Sequence, residues 1–147
     1  MNPEETEAGP CPKGQGAESR ERCVLVAEDD PEMRRLVCRA LRRAGYRVVE
    51  VEDGRALVNA LIRCVKDTPE QLPDLIISDV RMPGCTGLEV LARMRRVEWT
   101  TPVILITAFG DMETHDEAHR LGAARVLDKP FDVDELCSAA RTLVPTS

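Results

Sequence analysis

Three large apolar residues, Leu75-Ile76-Ile77, run straight into Ser78-Asp79, and Met82-Pro83-Gly84 then breaks the pattern. A short, continuous apolar run bounded by turn residues suits a parallel strand buried on both faces. Asp79 then falls where such a strand emerges at its carboxyl end, the edge at which open α/β sheets place their ligands. A carboxylate there needs a counter-charge, a metal or a set of hydrogen-bond donors.

The same kind of run recurs at Val24-Leu25-Val26 and from Val103 to Ile106, and stretches of helical periodicity lie between the runs. The pattern predicts strands over 22–27, 46–51, 75–78, 103–106 and 124–127. It predicts helices over 31–44, 55–66, 88–97, a weak acidic stretch ending near 121, and 133–143. In the first helix Met33, Leu36, Val37, Ala40, Leu41 and Ala44 form one inward face, with Asp30 as cap, Pro31 at the first position and Gly45 at the end. In the second, Ala56, Leu57, Ala60, Leu61 and Val65 face inward; in the last, Leu136, Ala139, Ala140 and Leu143 do. Strand and helix alternate five times, which predicts an α/β fold, a doubly wound parallel sheet with helices on both faces.

Residues 1–21 mix prolines and glycines with charges and have almost nothing to bury, so they are expected to be a disordered leader. They contain no apolar core of a secretory signal. The expected domain is 22–144, followed by a short tail, 145–147, with no output domain after it. No run approaches the length of a membrane span, which points to a cytoplasmic protein by default. The net charge of −6 argues against a surface built for nucleic-acid backbone. The six cysteines show no CxxC pair, so zinc and disulfide frameworks are disfavoured and small buried thiols expected.

The strand ends carry the chemistry. The first strand ends in Glu28-Asp29-Asp30, the third in Asp79, the fourth in Thr107-Ala108 and the fifth in Asp128-Lys129-Pro130. Right-handed crossovers put these ends on one edge of the sheet. Three carboxylates, Glu28, Asp29 and Asp79, would meet one hydroxyl and one ammonium there. Hard oxygen ligands around a small site suit magnesium, with manganese as a substitute. An aspartate can attack phosphorus, while a metal and an ammonium stabilise the transferring group. His115 and His119, four apart in the weak fourth helix, lack a third ligand and are expected to be exposed helix residues.

The stretches VLVAEDDPEMR, LIISDVRMPGCTGLEVL, PVILITAFG and GAARVLDKPF together resemble the receiver domain of two-component response regulators. The resemblance spans roughly 22–143. It implies a five-stranded sheet in the flavodoxin-like order 2-1-3-4-5, for which a member of this family serves as a standard example. It implies that Asp79 accepts a phosphoryl group from a histidine kinase or a histidine phosphotransfer protein. Such a protein is no ordinary enzyme, yet it catalyses its own phosphorylation and dephosphorylation. By the same resemblance Asp29, Asp79 and the Arg81 carbonyl hold magnesium, with Glu28 acting through a metal-bound water. Thr107 and Lys129 meet the phosphoryl oxygens, Ala108 leaves room for the group, and the Lys129–Pro130 bond is cis.

The sequence departs from the family at Val126, where an aromatic switch residue is usual, so the signal is expected to pass through the backbone after Thr107. Residues 66–73 exceed the family's usual crossover, which extends the second helix. Arg81 and Phe109, each two residues beyond a site residue, are expected to govern the hydrolytic water, and the bulk of Phe109 predicts a phosphorylated form that is not short-lived. The expected output is phosphorylation-dependent binding of a downstream protein. The surface of helix four, strand five and helix five mixes Asp111, Glu113, Asp116, Glu117, Asp134 and Glu135 with Arg120, Arg125 and Arg141, and leaves a homodimer open. A phosphorelay intermediate and an unphosphorylated pseudo-receiver scaffold stay open as alternatives.

Overall fold

The computed structural model describes residues 21–108 and 111–146. The leader up to residue 20, Cys11 within it, and Phe109 lie outside the described residues. Five strands, β1 (Cys23–Ala27), β2 (Arg47–Val51), β3 (Leu75–Asp79), β4 (Val103–Ala108) and β5 (Arg125–Lys129), pair in parallel in the order β2-β1-β3-β4-β5. The helices are α1 (Pro31–Arg43), α2 (Gly54–Asp67), α3 (Gly87–Arg96), α4 (Met112–Arg120) and α5 (Val133–Leu143). The fold is the expected doubly wound α/β domain in its 2-1-3-4-5 order.

Strand periodicity divides the apolar residues between two cores. Val24, Val26, Ile77, Ile104 and Ile106 face α1 and α5, where they meet Val37, Leu41 and Leu136. Leu25, Ile76 and Leu105 face the other way, onto Leu57, Leu61, Leu91 and Met94. Central strands apolar at successive positions can bury both faces only under helices on each side. Tyr46 closes the first core from beneath. Its hydroxyl donates to the Val144 carbonyl at 2.6 Å, tying the entry to β2 to the end of α5.

Helix starts follow the sequence chemistry. Asp30 caps α1 by accepting from the Glu32 amide, with Pro31 in the first turn; Asp53 caps α2, and Thr86 with Glu89 forms a reciprocal capping box on α3. Gly45, just past α1, takes φ +104°, a conformation cheap only for glycine.

Two expected inward residues point outward. Leu36 and Val65 are each half exposed. Val37, Cys38 and Leu41 are the buried centre of the inward face of α1, with Met33, Ala40 and Ala44 partly buried against the same core, and the last turns of α2 leave Val65 at a groove beside α3. The long crossover extends α2 by a single residue at each end of the expected 55–66, and Pro69–Gln71 adds one turn of 3₁₀ helix. Strands β4 and β5 each run two residues beyond expectation, so Thr107 and Lys129 are ladder residues rather than loop residues. Cys23, Cys38, Cys85 and Cys137 are buried, and burial pushes the Cys38 thiol up to about 11. Among the described residues no helix is long and apolar enough to cross a membrane.

Candidate functional site

At the carboxyl edge of the sheet the ends of β1, β3, β4 and β5 lie side by side and carry Glu28 with Asp29, Asp79, Thr107 and Lys129. Glu28 leaves β1 with its amide bonded to the Val51 carbonyl, and Arg34 Nη1 in α1 donates to the Glu28 carbonyl at 2.7 Å. The Asp30 amide donates to Glu28 Oε2 at 3.1 Å, so Asp30 turns to cap the helix while its neighbours point to the site. Glu28, Asp29 and Asp79 each bring a carboxylate oxygen within 4.8 Å of the others. Glu28 and Asp79 are 2% and 5% exposed, and Asp29 is open to solvent.

Asp79 is held from both sides. Lys129 Nζ, one strand beyond β4, donates to Asp79 Oδ2 at 2.8 Å, and the Arg81 amide donates to Oδ1 at 3.3 Å. The ammonium also stands 3.5 Å from Glu28 Oε1. Burial alone works against the charged lysine, but its hydrogen bond and charge attraction to Asp79 win and hold its pKa above the ordinary value. Burial raises Glu28 to about 7 and the Asp79 charge adds to this, while the Asp30 amide and Lys129 oppose it.

Two polar atoms in this cluster are buried without a hydrogen-bond partner: Glu28 Oε1 and Thr107 Oγ1. Such groups are rare in folded proteins; Glu28 Oε1 has the Lys129 ammonium at 3.5 Å in place of a hydrogen bond, and Thr107 Oγ1 has no hydrogen-bond partner. They stand at the ends of β1 and β4, flanking β3, in a cluster of hard oxygen donors. That donor set fits a divalent cation of the magnesium type at Glu28, Asp29 and Asp79.

Backbone crowding fixes the loops around the cluster. A Cβ on Gly54 would sit 1.8 Å from the Cys85 carbonyl oxygen, and the Gly54 amide donates to the Pro83 carbonyl, so the start of α2 locks against the loop after β3. A Cβ on Gly87 would sit 2.7 Å from the Asp79 carbonyl oxygen. Glycine at both positions is a close-approach requirement.

The remaining expected residues lie around this centre. Ala108 is exposed at the end of β4, opposite Lys129 in register, and the Lys129–Pro130 peptide is cis. The Arg81 side chain projects into solvent, its guanidinium 3.9 Å from the Asp111 carboxylate at the start of α4. Val126 is half-buried opposite Leu105 and packs on the second core. His119 is exposed, but His115 corrects expectation. It is partly buried, and its ring nitrogen bonds Asp128 Oδ1 at 2.7 Å, bridging α4 to the residue before Lys129. Neither this bridge nor Arg34 beneath Glu28 was legible in the sequence; each depends on which helix face turns toward a strand thirteen or six residues away.

A family model described as the response regulator receiver domain matches residues 24–141. The C4-dicarboxylate transport transcriptional regulatory protein DctD of Pseudomonas aeruginosa is 37% identical over 118 residues, covering 80% of this chain but 24% of that protein's length. Sporulation initiation phosphotransferase F of Bacillus subtilis is 29% identical over 122 residues, covering 83% of this chain and 93% of that protein. The receiver domain of the Francisella response regulator 1452 superposes with a TM-score of 0.73 at 28% identity, covering 84% of this chain and 96% of that one. A match that runs from the first strand into the last helix, on a sheet of the implied order, leaves one assignment: the chain belongs to the response regulator receiver domain family.

Proposed function

We propose that the chain is a phosphoryl-accepting switch whose acceptor is Asp79. The observation that carries this is the placement of the Asp79 carboxylate, nearly buried, between the Lys129 ammonium at 2.8 Å and the Glu28–Asp29 acid pair. In the proposed step an Asp79 carboxylate oxygen attacks the phosphorus of a phosphohistidine on a kinase or phosphotransfer protein. A phosphorus–oxygen bond forms, the phosphorus–nitrogen bond breaks, and the electron pair leaves with the histidine.

Asp29 and Asp79, with the Arg81 carbonyl, would hold magnesium, and Glu28 would reach it through water; when bound, the cation offsets charge on the phosphoryl oxygens. Lys129 exchanges its hydrogen bond to Asp79 for one to the phosphoryl group. The unpartnered Thr107 hydroxyl gains a phosphoryl oxygen as its acceptor, and exposed Ala108 leaves the approach open. Val126 has no ring to rotate, so movement of Thr107 reaches the surface through the backbone beyond β4. Arg81 and Phe109 set the access of the hydrolysing water. The output is binding of a downstream protein by the phosphorylated form, in the cytoplasm.

Incubation with magnesium and acetyl phosphate, read by intact mass, tests the acceptor. One added phosphoryl group, absent from Asp79→Asn, is the expected result. A folded wild type that gains none, from acetyl phosphate or a kinase, would favour the scaffold alternative.

One observation favours a second reading. The relative covered over 93% of its length carries the name of a phosphotransferase. A relay intermediate would pass its phosphoryl group on to a histidine phosphotransfer protein, emptying Asp79 rapidly and reversibly when that protein is added. A switch keeps its label under the same conditions.

A further inference from the structure

On the face of the sheet opposite α1 and α5, the helices α2 and α3 leave an apolar groove of about 320 Å³ between them. Leu61 and Met94 are among the residues that line it and are buried. Its walls include Ile62 and Val65 on α2 and Val97 just past α3, which are 51%, 51% and 70% exposed, with Trp99 beside them. Large side chains left open together, on a surface otherwise rich in charge, mark a binding surface.

The groove is not electrically neutral. The charged side chains that line it are Lys66 and Arg93, and neither forms an ion pair among the described residues. In a chain of net charge −6 this is a local reversal of sign. Two facts narrow the occupant. A second copy docking the same face by a two-fold axis would bring in the same two cations and, from the residues that line the groove, no acidic side chain to neutralise them. Residues 1–20 have Met1 as their single large apolar side chain, too little to fill the groove.

We propose that this groove docks an amphipathic helix of another protein, with large apolar residues on one face and acidic residues on its flanks. Two packed helices offer a third a ready trough, and α2 at 14 residues gives about 21 Å of wall. The apolar face covers Ile62, Val65 and Val97, while the acidic flanks neutralise Lys66 and Arg93. The groove involves the carboxyl-terminal turns of α2 and α3. Those turns lie toward the sheet edge opposite Asp79, because each helix runs antiparallel to its strands. Docking there leaves the phosphorylation edge free, so the partner is a tether held in both states rather than a phosphorylation-dependent target.

Trp99 lines the groove and is the chain's single tryptophan, which gives a direct readout. The full chain is titrated with a tryptophan-free synthetic helix carrying leucines at i, i+3, i+4 and i+7 and glutamates on both flanks, and with its lysine-flanked counterpart. The expected result is a saturable shift of Trp99 emission with the glutamate peptide and affinity about tenfold weaker for the lysine peptide. Lys66→Glu with Arg93→Glu inverts that preference, Ile62→Glu abolishes the response, and Asp79→Asn leaves it unchanged. Equal response to both peptides, or none, overturns the proposal. So does sedimentation showing a dimer that Ile62→Glu dissociates, which would make a second copy the occupant. All groove variants should still gain one phosphoryl group from acetyl phosphate, so failure of the groove and failure of the acceptor chemistry are read separately.

Discussion

Lys129 Nζ stands 2.8 Å from Asp79 Oδ2 across a sequence separation of 50 residues, and that one contact joins the edge strand β5 to the central strand β3 at the acidic site. The ammonium is the counter-charge of a nearly buried carboxylate, and it also lies 3.5 Å from Glu28. Lys129→Ala should slow phosphorylation by acetyl phosphate about tenfold to a hundredfold, the worth of one charge-assisted hydrogen bond. Initial rates by intact mass check this. A rate within twofold of wild type would remove Lys129 from the proposed step.

Glu28 gives the metal-free protein a pH dependence of definite sign. Its pKa in the fold is raised from 4.5 to about 7, chiefly by burial, so folding favours the protonated form. The contribution to stability is fully present below about 4.5 and is lost as pH rises through 7. In a chelator the melting temperature should therefore fall between about pH 5 and pH 7.5, and Glu28→Gln should flatten the fall. Added magnesium should raise the melting temperature more at the upper end of that range, where the carboxylates are ionised and free to bind it.

Tyr46→Phe removes the buried hydroxyl that donates to the Val144 carbonyl at 2.6 Å. The expected cost is about 1–2 kcal/mol in urea unfolding, because the carbonyl loses a buried donor. Phosphoryl uptake should stay at wild-type level, since the contact closes the core under α1 and α5, remote from the acidic edge.

Gly54→Ala should be far more damaging than a methyl group suggests. The new Cβ meets the Cys85 carbonyl oxygen at 1.8 Å, and backbone cannot swing aside as a side chain can. A loss of about 3 kcal/mol or more is expected. Because the clash pushes on the loop after β3, magnesium affinity should fall as well. Gly122→Ala supplies the contrast: its Cβ would meet only the Arg95 side chain at 3.4 Å, so the cost there is the strain of a positive φ alone.

The cysteines divide by burial. Cys38 sits in the first core and its thiol is pushed up to about 11, so it should resist alkylation at pH 8 in the folded protein. Cys64, half-buried on α2, should react first among the described cysteines. Mass spectrometry of iodoacetamide-treated native protein distinguishes the sites.

The sequence by itself determined the alternation of strand and helix, because a strand buried on both faces must be apolar at every position and a helix every third or fourth. Runs such as Leu75-Ile76-Ile77 and Val103 to Ile106 have few other uses. It also determined that Glu28, Asp29, Asp79, Thr107 and Lys129 gather at one edge, since parallel strands joined by right-handed crossovers point their ends the same way. Tertiary structure alone decided the rest. Leu36 and Val65 have the spacing of core residues, yet each is half exposed, because burial depends on how closely the neighbouring helix packs over that position. The partner of His115 is Asp128, set by the packing of α4 on β5. The need for glycine at position 54 comes from a carbonyl 31 residues later in the chain. A local pattern records the period and the polarity of a segment; which atoms it meets across a longer separation is settled only when the layers close on one another.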